Sequence, residues 1–229
     1  MTHSGSTYSW EHPVGRIHIL TYTTLDLFGQ APGGPDEDPI GFDFGGWQAP
    51  LLDEVTGRQV AEAYRGTDAL LLGRRTYEIF AEYWPHQESR AEDDIASVFN
   101  RVPKYVVSHG RPDLSWAGSV QVRPDGRGSS SGGRAGLTAA VSALRDRHED
   151  IKVVGSLNLV QTLLREGLFD RIDLWVHPVV LGAGKKVFET GTVPAALELL
   201  HPPVAGPKGV VHLQYARGGG VPATGDMTT

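Results

Sequence analysis

The chain contains no cysteine, which removes disulfides, thiolate nucleophiles, iron–sulfur clusters and cysteine-based zinc sites together. It also lacks any apolar run near the roughly 18 to 20 residues that a membrane-spanning helix needs. Met1 to Pro13 are polar rather than a charged start followed by an apolar signal core, and the expectation is a cytoplasmic protein. A basic excess is missing as well. Acidic residues outnumber basic ones 27 to 21, so the overall field repels nucleic acid and anionic membrane, and local basic spots read as sites for small anions. The nine histidines show no H-E-x-x-H spacing, so no metal is expected. A P-loop is excluded because Val179 stands where its first glycine would have to be. Gly128 to Gly132 fits the G-x-S-x-G pattern of hydrolases, but its Gly/Ser-rich surroundings lack the buried strand that a nucleophile elbow requires.

What is present is a chain of 229 residues, enough to bury one substantial core. The expected organisation is a flexible segment over 1–13, one domain over 14–217 and a flexible tail over 218–229. The most informative stretch runs from Asp68 to Tyr77, where apolar residues stop abruptly at Gly73-Arg74-Arg75-Thr76. A buried strand ending in glycine can turn tightly, and a helix starting near Arg75 then aims its unpaired N–H groups and positive dipole end beyond the strand. The two arginines add full charges and a fork suited to phosphate. Ile151 to Val154 ends the same way, in Gly155-Ser156 ahead of the helical pattern Leu157 to Glu166. Either segment alone is also what ordinary strand-to-helix punctuation looks like. Two phosphate-sized sockets in one chain imply a dinucleotide.

Around these units, Arg16 to Thr23 reads as an opening strand, Asp53 to Tyr64 and Leu137 to Arg147 as helices, and Lys104 to Ser108 as a third strand ending in Ser108-His109-Gly110. The loop from Asp26 to Pro50 is long for a compact domain, and its Phe42, Phe44 and Trp47 suit a segment that covers something. Late in the chain, Ile172, Leu174 and Val176 alternate with Asp173, Trp175 and His177, and Val211 to Tyr215 alternates likewise. Both read as antiparallel additions to a mainly parallel sheet.

These segments, in their order and spacing, resemble the dihydrofolate reductase fold. The likeness is nearest to small single-domain proteins similar to the reductase half of the bifunctional riboflavin-biosynthesis deaminase/reductase. It runs from about Val14 to Arg217 and rests on Thr24-Leu25-Asp26, Gln30-Ala31-Pro32-Gly33, Gly45-Gly46-Trp47, Leu72 to Glu78, Lys104 to Ser108, Gly155-Ser156 and Pro178 to Lys185. It implies an α/β domain with a mostly parallel sheet, flanking helices and antiparallel C-terminal strands. It further implies an NADPH-dependent reductase that transfers hydride to a small organic substrate, and commonly a homodimer.

By the same resemblance, Gly73, Arg74, Arg75 and Thr76 would hold the cofactor's phosphates, Arg74 near the 2′-phosphate with Ser108 and His109. Gly155 and Ser156 would meet the pyrophosphate from the other side; Ser156 can equally serve as a helix cap. Asp26 lies where the family places an acid beside the nicotinamide. Asp53 competes for that role, or caps a helix. Trp47, Tyr77, Tyr83 and Trp84 form either an aromatic wall for a planar heterocycle or core packing. The acids Asp36, Glu37 and Asp38 stand where a ribityl-phosphate chain would want cations, so a heterocycle, imine, enone or secondary metabolite is expected ahead of a pterin or riboflavin precursor. The rival reading is a non-catalytic binder that sequesters a nucleotide or aromatic ligand.

Overall fold

The computed structural model describes residues 15–38, 40–87, 94–124 and 133–227. The expected flexible start, residues 1–13, and the Gly128–Gly132 pattern lie outside the described residues.

Nine strands form one sheet in the order β4-β3-β2-β5-β1-β6-β9-β7, with β8 beside β9. β1 (Arg16–Thr24), β2 (Ala69–Gly73), β3 (Lys104–Val107), β4 (Ser119–Val122), β5 (Asp150–Val153) and β6 (Arg171–His177) run parallel. β7 (Leu197–Leu199) and β8 (Val204–Ala205) pair antiparallel with β9 (Val211–Arg217), which itself pairs antiparallel with β6. The late alternating segments thus divide, since β6 extends the parallel set and only the strands after it are antiparallel. Their polar positions are not a solvated face either. Asp173, His177 and His212 are buried, because helices cover both sides of the sheet.

On one face, α4 (Gly133–Arg145) and α5 (Leu157–Glu166) bring Val141, Leu144, Leu159 and Leu163 against Ile17, Ile19, Leu71 and Val153. On the other, α1 (Glu54–Tyr64), α2 (Arg74–Tyr83) and α3 (Ile95–Arg101) bring Val60, Tyr64, Tyr77 and Phe99 against Leu20, Leu70, Leu72 and Trp175. β2 is buried along its whole length, which is why it reads as a continuous apolar run rather than an alternation.

Beneath the second face, the side chains at the start of the strands form a buried polar network. Lys152 Nζ donates to Asp150 Oδ2 at 2.9 Å and lies 2.8 Å from His18 Nδ1. Arg171 donates to Asp173 at 3.0 Å, and His212 stacks on Trp175 with ring centroids 4.2 Å apart. Burial, followed by the neighbouring Lys152 charge, lowers the His18 pKa to about 4. Burial likewise lowers that of Lys152.

Candidate active site

The two strand-to-helix turns picked out above form one site rather than two. The Gly73 N–H donates to the Gly155 carbonyl at 2.9 Å. A Cβ on Gly73 would run into the Ser156 hydroxyl and lie 2.8 Å from the Ser156 nitrogen. A Cβ on Gly155 would lie 2.7 Å from the Thr76 hydroxyl, at a φ of +149°. Each turn therefore packs into the gap left by the other's missing side chain.

Helix capping separates these two turns from the starts of α1 and α3. α1 begins with Asp53 accepting from the Thr56 N–H at 2.8 Å, and α3 with Asp94 accepting from Ser97 at 2.7 Å. The N-cap residues of α2 and α5, Gly73 and Ser156, make no side-chain cap bond. The two helices that open side by side at the sheet therefore leave their first N–H groups and dipole ends free for an anion.

Cations stand at this opening. Arg74 is held by Glu78 at 2.8 Å and Arg75 lies 3.5 Å from Asp38, both half-exposed. Val107 at the end of β3 is in register with Gly73, which delivers Ser108, His109 and then Arg111 to the same cleft. The buried Ser108 hydroxyl accepts from the Gly110 N–H at 3.1 Å and shapes that turn.

The cleft encloses about 1520 Å³, more than the roughly 300 to 1,000 Å³ of a typical small-molecule site, and so leaves room for a dinucleotide and a second ligand. Its far end changes character. Leu52, Val60, Ile79, Phe80, Trp84 and Phe99 line it, together with Tyr22, Tyr64 and Tyr83. Trp84 packs on Phe99 at 4.9 Å and Tyr83 at 5.0 Å. The long loop forms a further wall through Gly29 to Asp38. Gln30 ties it together, donating to Asp38 at 2.6 Å and accepting from the Lys185 N–H at 2.9 Å. Hydrogen bonds from the Ile40 N–H and then Gln30 hold the Asp38 carboxyl below its ordinary pKa in spite of desolvation.

Of the residues singled out from sequence, Gly73, Arg74, Arg75, Thr76, Ser108, His109, Gly155, Ser156 and Trp84 converge on the cleft. Four others do not line it. Asp26 accepts from the Thr24 hydroxyl at 2.5 Å and the Gly182 N–H at 2.8 Å, so it clasps the loop to the turn after β6. Desolvation raises its pKa, but these bonds outweigh that and leave it lowered. Asp53 is spent on capping α1 and on the Lys208 N–H, at 3.1 Å. Tyr77 is fully buried, its hydroxyl accepting from the Trp116 N–H at 3.1 Å. Trp47 is buried edge-on against His177 at 5.0 Å and donates to the Gln30 carbonyl at 2.8 Å. Sequence reasoning passed over Tyr22 and Tyr64. The available signal was position: Tyr22 follows His18 and Leu20 on one face of β1 and reaches the strand's C-terminal end, where open α/β sheets bind ligands.

The sheet order and the layers define a fold of the dihydrofolate reductase-like class. The chain belongs to the RibD C-terminal domain family, whose profile matches residues 19–211. Bacillus subtilis YyaP is 26% identical over 123 residues, covering 53% of this chain and 59% of that protein, so the match spans less than two thirds of the relative. The fold is also similar to a pyrimidine reductase-like protein from Corynebacterium diphtheriae, with a TM-score of 0.61, 15% identity, and 89% and 92% of the two chains covered. A second similar structure is the Thermotoga maritima diaminohydroxyphosphoribosylaminopyrimidine deaminase/5-amino-6-(5-phosphoribosylamino)uracil reductase. There the TM-score is 0.57 at 12% identity, over 89% of this chain and 56% of that one. Among the described residues no helix is long and apolar enough to cross a membrane, and no cluster of His, Asp and Glu is placed to hold a metal.

Proposed function

We propose that the protein is an NADPH-dependent reductase of a small planar heterocycle of the aminopyrimidine or pterin type. The observation that carries this is the pair of uncapped helices α2 and α5, joined through Gly73 and Gly155 and fringed by arginines. Thr76 and Ser156 with the first N–H groups of the two helices would hold the pyrophosphate. Arg74, Arg75, Ser108 and His109 would hold the 2′-phosphate end, which demands permanent charge and fixed donors. When bound there, the nicotinamide supplies hydride. The aromatic end, with Trp84 as one wall, would take the substrate ring.

Sequence alone ranked a pterin or riboflavin precursor last. Family membership reverses that order and supports the aminopyrimidine class over unrelated metabolites. Membership in a reductase family likewise favours catalysis over simple sequestration. A homodimer and a place in the cytoplasm belong to the same proposal. For the dimer, Leu197, Leu199, Leu200 and Val204 leave apolar surface exposed beside β7 and β8. Titrating the protein with NADPH and NADH tests the cofactor assignment. Tighter binding of NADPH, by roughly 1 to 3 kcal/mol for one charge-assisted contact, is the expected result, and equal affinities overturn it. Light scattering tests the dimer.

A further inference from the structure

The substrate end of the cleft needs a proton source, and the acids expected to supply it are occupied elsewhere. Addition of hydride to a C=N or C=O carbon drives the π pair onto nitrogen or oxygen, where a positioned donor lowers the barrier. Asp26 and Asp53 serve backbone N–H groups outside the cleft. Asp36, Glu37 and Asp38 lie on the loop wall, where Glu37 accepts from the Gly33 N–H and Asp38 faces Arg75.

Tyr22 is differently placed. Ile19 of β1 is in register with Val153, the last residue of β5, and Tyr22 lies three residues further along β1, near its C-terminal end. Tyr22 and Ser156 line the same cleft. The ring is fixed by stacking on Trp175, with centroids 5.2 Å apart, and by an edge contact with His177 at 6.5 Å. Tyr64, the last residue of α1, belongs to the core cluster against which Tyr22 packs. It is held in turn by Phe99 at 4.9 Å. Both tyrosines line the cleft.

Resting on the reductase reading above, we propose that Tyr22 is the catalytic proton donor to the reduced C=N or C=O group and that Tyr64 is its positioning residue. As the substrate carbon accepts hydride from NADPH, a C–H bond forms and the π pair moves to the heteroatom. The heteroatom takes the Tyr22 phenol proton as the O–H bond breaks, NADP⁺ is left behind, and the phenolate regains its proton from water in the open cleft. Burial pushes the Tyr22 phenol up to about 12 and that of Tyr64 well above its ordinary value, so both remain protonated at neutral pH. Burial makes the phenol a weaker acid, but the amide or alkoxide anion that hydride addition would leave is a stronger base still, so the proton transfer runs downhill.

The test uses the full chain, NADPH, and two probes: 5-amino-6-(5-phosphoribosylamino)uracil and the same compound without phosphate. NADPH affinity is measured first by fluorescence titration, then NADPH oxidation is followed in single turnover. Tyr22→Phe should keep the wild-type NADPH affinity and thermal midpoint, lower the hydride-transfer rate about 100-fold or more, and lose the wild-type solvent isotope effect. Tyr64→Phe should lower the rate less, about 10-fold, and change its pH profile while Tyr22 still donates. Wild-type turnover in Tyr22→Phe, or a loss matched by an equal loss of NADPH affinity, overturns the proposal. A wild-type protein that binds NADPH yet reduces neither probe overturns it together with the aminopyrimidine class and leaves the cofactor reading standing. Failure to bind NADPH removes the cofactor reading itself.

Discussion

Asp38 stands 3.5 Å from Arg75, and its side chain is far more buried than the arginine's, 7% exposed against 43%. An acid from the loop thus occupies a guanidinium assigned above to the 2′-phosphate end of the cofactor. An incoming phosphate must replace that carboxylate, which keeps its bonds from Gln30 and the Ile40 N–H when the arginine turns away. Asp38→Asn should therefore tighten NADPH binding a few-fold, whereas Arg75→Ala should weaken it. Equal affinity in wild type and Asp38→Asn, measured by titration at one ionic strength, removes this competition.

Arg74 is engaged in a comparable way by Glu78, one helical turn on. Arg74→Ala should erase most of the preference for NADPH over NADH while leaving NADH affinity nearly unchanged. An undiminished preference in the variant places the 2′-phosphate elsewhere.

Gly155 has two reasons to be glycine, its φ of +149° and the 2.7 Å separation from the Thr76 hydroxyl that any Cβ would have. Gly155→Val should abolish cofactor binding and also lower the thermal midpoint, because the two turns are pushed apart. From sequence, its role was expected to concern cofactor approach alone. A fully stable Gly155→Val protein would restore that simpler view.

Trp84 and Trp47 should separate on substitution. Trp84→Ala removes a cleft wall and should weaken substrate binding with little change in NADPH affinity. Trp47→Ala empties a buried site and should cost about 3 to 5 kcal/mol of stability. Denaturant melts alongside turnover assays distinguish the two, and a catalytic loss in Trp47→Ala without a stability loss contradicts the assignment.

His18 gives the fold an acid limit. Its pKa falls from 6.5 to about 4 on folding, chiefly by burial and then by Lys152. The contribution is therefore present above the unfolded pKa and is lost as pH drops from about 6.5 through 4, reaching about 3 kcal/mol. His18→Gln should flatten that part of the stability curve in urea titrations run at pH 7, 5.5 and 4. An unchanged slope assigns the acid sensitivity to the carboxylates instead.

The units that build the site were legible because each joins a local apolar run to a glycine: Leu70 to Gly73 before α2, and Ile151 to Gly155 before α5. α3 and β4 were not. Seven residues and four residues are too short to show a period, and Ser-Val-Gln-Val at a sheet edge carries little apolar signal. The fates of Asp26 and Asp53 could not be read either. The N–H groups that claim them, at Gly182 and Lys208, lie about 155 residues away along the chain. The aromatic residues were correctly suspected of clustering, but composition cannot say which side of a wall a ring occupies. Tyr77 faces the core and Trp84 the cleft.

The absence of side-chain caps on α2 and α5 has a consequence for attempts to improve the protein. A capping side chain at Gly73 would meet Ser156, but an acid in place of Ser156 or in the first turn of either helix would engage the same N–H ends for about 0.3 to 1 kcal/mol. Selection for heat tolerance alone would find those positions and close the site. Selection with cofactor present would not, since a ligand at 100 times its dissociation constant already adds about 2.7 kcal/mol. Thermostability and activity here compete for the same few N–H groups, and the order in which they are selected decides which survives.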